Sequence, residues 1–171
     1  MIADKYAKAL FQSLEPSQWE EVRQALRGLA EVARQPELLL VLKSPDLSVE
    51  EKSQYIAKLT GLNNEKFLNF VKILIINKRV DLLKPIYKAF NKLVSEATNT
   101  YEGVVEAYIS ETGIQLLEKE LGKRFNANIK LKLRQKPVGG IKLFIDVLNV
   151  EVALIEDRLK EDLIQSILKA I

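Results

Sequence analysis

The sequence predicts a mainly α protein: an N-terminal six-helix bundle followed by a small α+β C-terminal module. Three observations carry this reading. Over residues 1–101 apolar side chains return every three or four positions, the period of a helix with one buried face. Pro16, Pro36, Pro45, Gly61 and Pro85 interrupt that pattern at intervals suited to short connections. From about Thr98 the pattern changes, and Ile129-Lys-Leu-Lys-Leu-Arg134 alternates strictly, as a half-buried strand does. The expected division is therefore 1–101 and 102–171.

The first helix is expected from Ile2 to Leu14, with Ile2, Tyr6, Leu10 and Leu14 on one side, Ala3 and Ala7 beside them, and Pro16 ending it. Ser17-Gln-Trp-Glu20 has the form of a capping box before a second helix that carries Trp19, Val22, Leu26, Leu29, Ala30 and Ala33. Pro36 opens a short third helix to Leu42, and Ser44-Pro45 breaks it. A second box, Ser48-Val-Glu-Glu51, starts a fourth helix with Tyr55, Ile56 and Leu59, closed by Gly61. The fifth is KFLNFVKILIINKR, residues 66–79, capped by Asn63 or Asn64. The sixth begins near Leu83, because Pro85 is tolerated only in a first turn, and carries Ile86, Phe90, Leu93, Val94 and Ala97.

In the second half, residues 104–109 read as a strand with Val105, Ala107 and Ile109 on one side. A helix with Ile114, Leu117, Leu121 and Phe125 follows, and then the alternating strand 129–134. Val138-Gly139-Gly140 offers a turn or bulge. Ile141, Leu143, Ile145 and Val147 alternate again, and a short strand near Val150–Ala153 leads to a last helix with Ile155, Leu159, Leu163, Ile167 and Ile171.

Composition narrows the chemistry. The chain of 171 residues is 47% hydrophobic and 29% charged, enough to bury a core and remain soluble. It has no cysteine and no histidine, so it lacks thiolates and the commonest general base and metal ligand. No phosphate loop or dinucleotide fingerprint occurs, and Gly139-Gly140 sits between strands with no helix start after it. The carboxylate pairs Glu20/Glu21, Glu50/Glu51, Glu156/Asp157 and Glu161/Asp162 fall at helix starts or on polar faces. No catalytic, cofactor-binding or metal-binding residues are expected. The net charge is +3; the first 101 residues hold 15 basic against 12 acidic side chains, the rest 11 against 11. Neither half has the strong basic excess of a nucleic-acid binder. No apolar run approaches the roughly 20 residues that span a bilayer, and MIADKYAKALF does not read as a signal peptide, so the cytoplasm is the expected compartment.

What remains is surplus apolar surface. Phe67, Leu68, Phe70, Val71, Ile73, Leu74, Ile75 and Ile76 sweep an arc of roughly 220°, wider than one buried face needs. The first helix shows the same excess over roughly 200°. Both helices could lie at the centre of the bundle, or leave between them a groove for a partner's amphipathic helix. The two readings are compatible.

YAKALF at 6–11, the helical pattern of the first hundred residues, NKR at 77–79, the Gly139-Gly140 step and Arg158-Leu159 occur in an order that resembles the δ subunit of F-type ATP synthases, related to the mitochondrial oligomycin-sensitivity-conferring protein. The resemblance spans the chain. It departs at Glu151-Val152-Ala153, where that family usually carries Asp-Gly-Ser. It implies a non-catalytic stator subunit that joins the catalytic head to the peripheral stalk. The partners it implies are the N-terminal helix of an ATP synthase α subunit, for the bundle, and the C-terminal region of the b subunit, for the second module. By that likeness the groove floor is assigned to Tyr6, Ala9 and Leu10 with Phe67, Phe70, Val71 and Leu74, and its rim to Asn77, Lys78 and Arg79. Phe70→Asp is expected to leave the bundle folded while weakening the dock. Membrane association is expected to be indirect, through the stalk, at the cytoplasmic face of the cell membrane. The rival is a helical nucleic-acid-associated protein using Lys130, Lys132, Arg134 and Lys142 on an open strand face and Lys84, Lys88 and Lys92 on the sixth helix.

Overall fold

A computed structural model of the protein describes residues 1–136, 140–154, 165 and 167–171. It is mostly helical with one small four-stranded sheet. The chain divides into two compact units, Met1–Val94 and Ser95–Ile171.

The first unit contains α1 (Ile2–Ser13), α2 (Trp19–Val32), α3 (Pro36–Lys43), α4 (Val49–Thr60), α5 (Glu65–Ile76) and most of α6 (Leu83–Thr98), with single 3₁₀ turns at Pro16–Gln18 and Val80–Leu82. One apolar cluster fills it, with Leu26, Leu29, Leu38, Ile56, Phe67, Leu74, Ile86 and Phe90 essentially free of solvent. The caps follow local chemistry. Ser48 and Glu51 form the expected reciprocal box, and Gly61 ends α4 at φ +70°, a conformation that favours glycine. Asn64 caps α5 by accepting the Phe67 amide at 3.0 Å.

Two expectations are corrected. Ser17 and Glu20 do not form a capping box. Pro16 opens a 3₁₀ turn, and the reciprocal pair is Glu15 with Gln18, whose Oε1 accepts the Glu15 amide at 3.0 Å. Glu20 bonds Arg23 and Gln24 instead. The inward stripe of α1 is Ala3, Ala7, Leu10 and Leu14: Leu10 and Leu14 are inward as expected, but the flanking alanines take the inner places expected for Ile2, which is exposed, and Tyr6, which is half-buried. Alanine at two of the four positions brings the backbone close to its neighbours, while Phe11 stacks on Trp19, ring centroids 4.6 Å apart.

In the second unit, β1 (Thr100–Ala107) pairs in parallel with β2 (Asn128–Gln135) through the crossover helix α7 (Glu111–Phe125). β1 also pairs antiparallel with β3 (Ile141–Ile145), and β3 with β4 (Val150–Leu154), giving the order β2-β1-β3-β4. β1 starts four residues before the expected strand, because Thr100–Gly103 find partners in Asn128–Leu131. Val105, Leu143, Ile145, Leu117 and Leu121 form its core on one face of the sheet. Gly103 is required: a Cβ there would lie 2.7 Å from the Phe144 carbonyl oxygen. Val138-Gly139, the start of the last helix with Ile155, Leu159 and Leu163, Arg158, and the pairs Glu156/Asp157 and Glu161/Asp162 lie outside the described residues. Residues 167–170 are helical, and Ile167 is fully buried.

Candidate functional site

The seam between α1 and α5 is fixed by three contacts. Lys66 Nζ donates to the Ser13 carbonyl at 2.6 Å. The Tyr6 ring meets Phe70 edge-on, centroids 6.3 Å apart at 75°. Asn77 Nδ2 donates to the Tyr6 hydroxyl at 2.9 Å. The residue numbers run in opposite senses, so the helices are antiparallel. Lys66, Phe70, Ile73 and Asn77 are spaced i, i+4, i+7, i+11 and fall within about 60° of one another on α5. Ile2, Tyr6, Ala9 and Ser13 have the same spacing on α1. These two stripes are the facing edges of the seam.

The assigned floor residues fall into two layers. Leu10, Phe67, Phe70, Val71 and Leu74 point into the unit's own core, with Phe67 at 0% and Leu74 at 1% exposure. They form the bed of the seam, not its open surface. Tyr6 is half-buried, and Ala9, Asn77, Lys78 and Arg79 are exposed. The large apolar side chains that do face water belong to the surplus arcs but not to the assigned groove floor: Ile2 at 47% and Ile73 at 48%, with Ile76 at 64% a little round the helix. The i, i+4, i+7, i+11 spacing was the signal available for them. It became usable only once Tyr6, Phe70 and Asn77 fixed which faces meet. Phe70→Asp would place a carboxylate in a site that is 6% exposed, so the expectation that this variant stays folded is withdrawn.

The end of α5 shapes the rim. Asn77 is the C-cap, Lys78 follows at φ +55°, and Arg79 begins the exit. The Arg79 amide bonds the Leu74 carbonyl at 2.8 Å and the Lys78 amide bonds the Ile75 carbonyl at 3.1 Å. This is a Schellman closure with lysine where glycine is usual. It turns Lys78 and Arg79 off the helix beside the carbonyl end, where cations are favoured. On the far side of α5, Lys72 pairs with Glu50 of α4 at 2.7 Å. The hydrogen bond from Lys72, helped by one from Gln54, holds the Glu50 carboxyl below its ordinary range.

A second concavity of about 460 Å³ lies between α2 and the end of α4, lined by Ala25, Gly28, Leu29, Val32, Leu59 and Leu62. On the sheet, Lys130, Lys132, Arg134 and Lys142 do share one face, but Glu102, Glu106 and Glu151 are interleaved with them. Glu106 accepts from Lys136 at 2.8 Å, and that bond lowers its pKa. A face of mixed sign is a poor phosphate track. Among the described residues no group of three or more acidic side chains is placed to hold a metal ion, and no helix is long and apolar enough to cross a membrane.

Comparisons with known proteins agree on one family. The model of the ATP synthase delta (OSCP) subunit family matches residues 2–163. The ATP synthase subunit delta of Sulfurovum sp. (strain NBC37-1) is 34% identical over 175 residues, covering 100% of this chain and 98% of that one. That of Campylobacter concisus (strain 13826) is 32% identical over 173 residues with the same coverage. Among solved structures, a chain of the Toxoplasma gondii mitochondrial ATP synthase hexamer shares the fold, with a TM-score of 0.66 at 19% identity, covering 100% of this chain and 99% of that one. The helical unit followed by a four-stranded sheet, and matches that span nearly the full length of chain and relatives alike, lead to one conclusion: this chain belongs to the ATP synthase delta (OSCP) subunit family.

Proposed function

We propose that the chain is a non-catalytic stator subunit that ties the catalytic head of an F-type ATP synthase to its peripheral stalk. Its six N-terminal helices act as one bundle, and the α1/α5 seam receives the N-terminal helix of an α subunit. Tyr6, Ala9 and Ile73 form the contact surface, Leu10, Phe67, Phe70, Val71 and Leu74 its support, and Asn77, Lys78 and Arg79 its rim. The second unit takes the C-terminal region of the b subunit, which would bring the chain to the cytoplasmic face of the cell membrane without inserting into it. The head is then prevented from turning with the rotor, and proton flow drives ATP synthesis. The nucleic-acid reading is not favoured.

The observation that carries the proposal is the pair of antiparallel stripes with exposed Ile2, Ala9 and Ile73 above a tightly packed bed. An amphipathic helix laid along them would bury those side chains, and an apolar groove of this kind recognises anchors spaced i, i+3 or i+4, i+7. A photo-reactive residue at Ala9 tests it in the assembled complex. The expected product is an adduct to the N-terminal segment of an α subunit, whereas the same residue at Leu40, on α3, gives none. A complex that assembles normally yet gives no α-subunit adduct from position 9 refutes the assignment.

A further inference from the structure

The outer edge of β2 carries a chemistry unlike that of the helical seam. β2 is an edge strand of eight residues. Three hydrogen bonds fix the direction of its peptide groups. The Asn128 amide donates to the Asn99 carbonyl at 3.0 Å and the Lys136 amide to the Ala107 carbonyl at 3.3 Å, both toward the β1 side. The Leu131 amide donates instead to Oε1 of Glu118 on α7, at 2.9 Å. Peptide groups alternate in direction along a strand. Ile129, Leu131, Leu133 and Gln135 therefore turn their main-chain groups away from β1, to a side where no strand among the described residues pairs with them.

Basic side chains flank that edge on both sides, with Glu102 and Glu106 one strand further in, on β1. Lys130, Lys132 and Arg134 share the open face of the sheet. Lys119, Lys123 and Lys130 line a cavity of about 770 Å³ between α7 and the start of β2. Lys119, Lys130 and Lys132 have no hydrogen-bonded or ion-paired partner among the described residues. Lys123 is 3.5 Å from Glu120, and Arg134 is 3.9 Å from Glu106. The outward amide of Leu131 is held by a carboxylate, that of Glu118. Two such edges from two copies would repel each other, whereas a strand bearing carboxylates would be attracted.

We propose that the edge of β2 from Ile129 to Gln135 receives an extended, acidic segment of a partner polypeptide as an added strand, displacing Glu118 from the Leu131 amide. Main-chain bonds supply affinity, and carboxylates on alternate residues, which share one face of the added strand, meet Lys130, Lys132 and Arg134. Glu118 is an internal competitor for the same position. The proposal stands independently of the α1/α5 seam.

The test uses the full chain, isotopically labelled, with an acetylated and amidated peptide of three Glu-Val repeats and its Lys-Val counterpart. With the acidic peptide, the amides of Leu133 and Gln135 should shift and exchange more slowly, and affinity should fall with added salt. Glu118→Ala should tighten binding about threefold. Lys130→Glu with Lys132→Glu should weaken it about tenfold or more, and the neutral pair Lys130→Gln and Lys132→Gln should lie between. Unchanged amide shifts at the buried Leu143 report that the variants stay folded. Equal binding of the Lys-Val peptide, shifts away from β2, or indifference to charge reversal would each overturn the proposal. So would sedimentation showing that the edge pairs with a second copy of the chain.

Discussion

Ile73 offers the sharpest test of the seam. It is 48% exposed in the free chain, so roughly half of its side chain remains to be buried by a docked helix. Complete burial of an isoleucine stabilises by about 1.5–3 kcal/mol, so the remaining half contributes about 1 kcal/mol. Ile73→Ala should therefore weaken binding of a peptide carrying the α-subunit N-terminal helix by about fivefold. Ile73→Asp also places a carboxylate against an apolar face, and should weaken it tenfold or more, at least about 1.4 kcal/mol. Because the side chain is half in water, both variants should keep the helical circular dichroism and melting temperature of the parent within a few degrees. Leu40→Asp, at a site 70% exposed on α3, is the control and should leave affinity unchanged. Calorimetric titration reads all three. A folded Ile73→Asp protein that binds as tightly as the parent would refute the reasoning, because the seam could not then be the contact.

Three further outcomes follow from the fold. Gly103→Ala should destabilise the second unit by about 1–3 kcal/mol, seen as a lower melting temperature and faster amide exchange in β1, since the new Cβ would strike a backbone carbonyl at 2.7 Å. Lys78→Gly relieves a left-handed lysine at φ +55° and should raise stability by about 0.5–1 kcal/mol in chemical denaturation. The same variant should lower affinity for the α-subunit peptide, because it removes a charge from the rim. Glu50 has a folded pKa below its unfolded one, so its pairing with Lys72 stabilises at neutral pH and is lost as the pH falls through the carboxylate range, from about 5 towards 3. Glu50→Gln should flatten that part of the stability–pH curve, measured by urea denaturation at several pH values.

Local chemistry made much of the fold legible. Pro36, Ser48 with Glu51, Gly61 and Asn64 mark helix ends through interactions within a few residues, and strict alternation at 129–134 can belong only to a half-buried strand. One failure was local and the others were not. Ser17 has the residues of a capping box, but Pro16 fixes the preceding backbone and hands the pairing to Glu15 and Gln18. The rotation of α1 depends on which side chains its neighbours offer, and nothing in its own period distinguishes an Ala3–Ala7–Leu10 core from an Ile2–Tyr6 one. The same blindness applied at the candidate site. Periodicity revealed that α1 and α5 carry more apolar surface than one core requires. Only the contacts among Tyr6, Phe70 and Asn77 separate Phe67 and Leu74, which are consumed internally, from Ile2 and Ile73, which are left over.

The parallel pairing of β1 with β2 bears on how the chain is made. Its paired residues lie 28 positions apart, and Val104 meets Phe144 at a separation of 40. β3 and β4 can pair as a local hairpin, but β1 finds no strand partner until β2 has left the ribosome, while the helices before it can already have condensed. Refolding from denaturant should accordingly show a rapid helical phase and a slower one reported by Tyr101 and Phe144. A nascent chain stalled after α7 should hold β1 unpaired and in need of a chaperone.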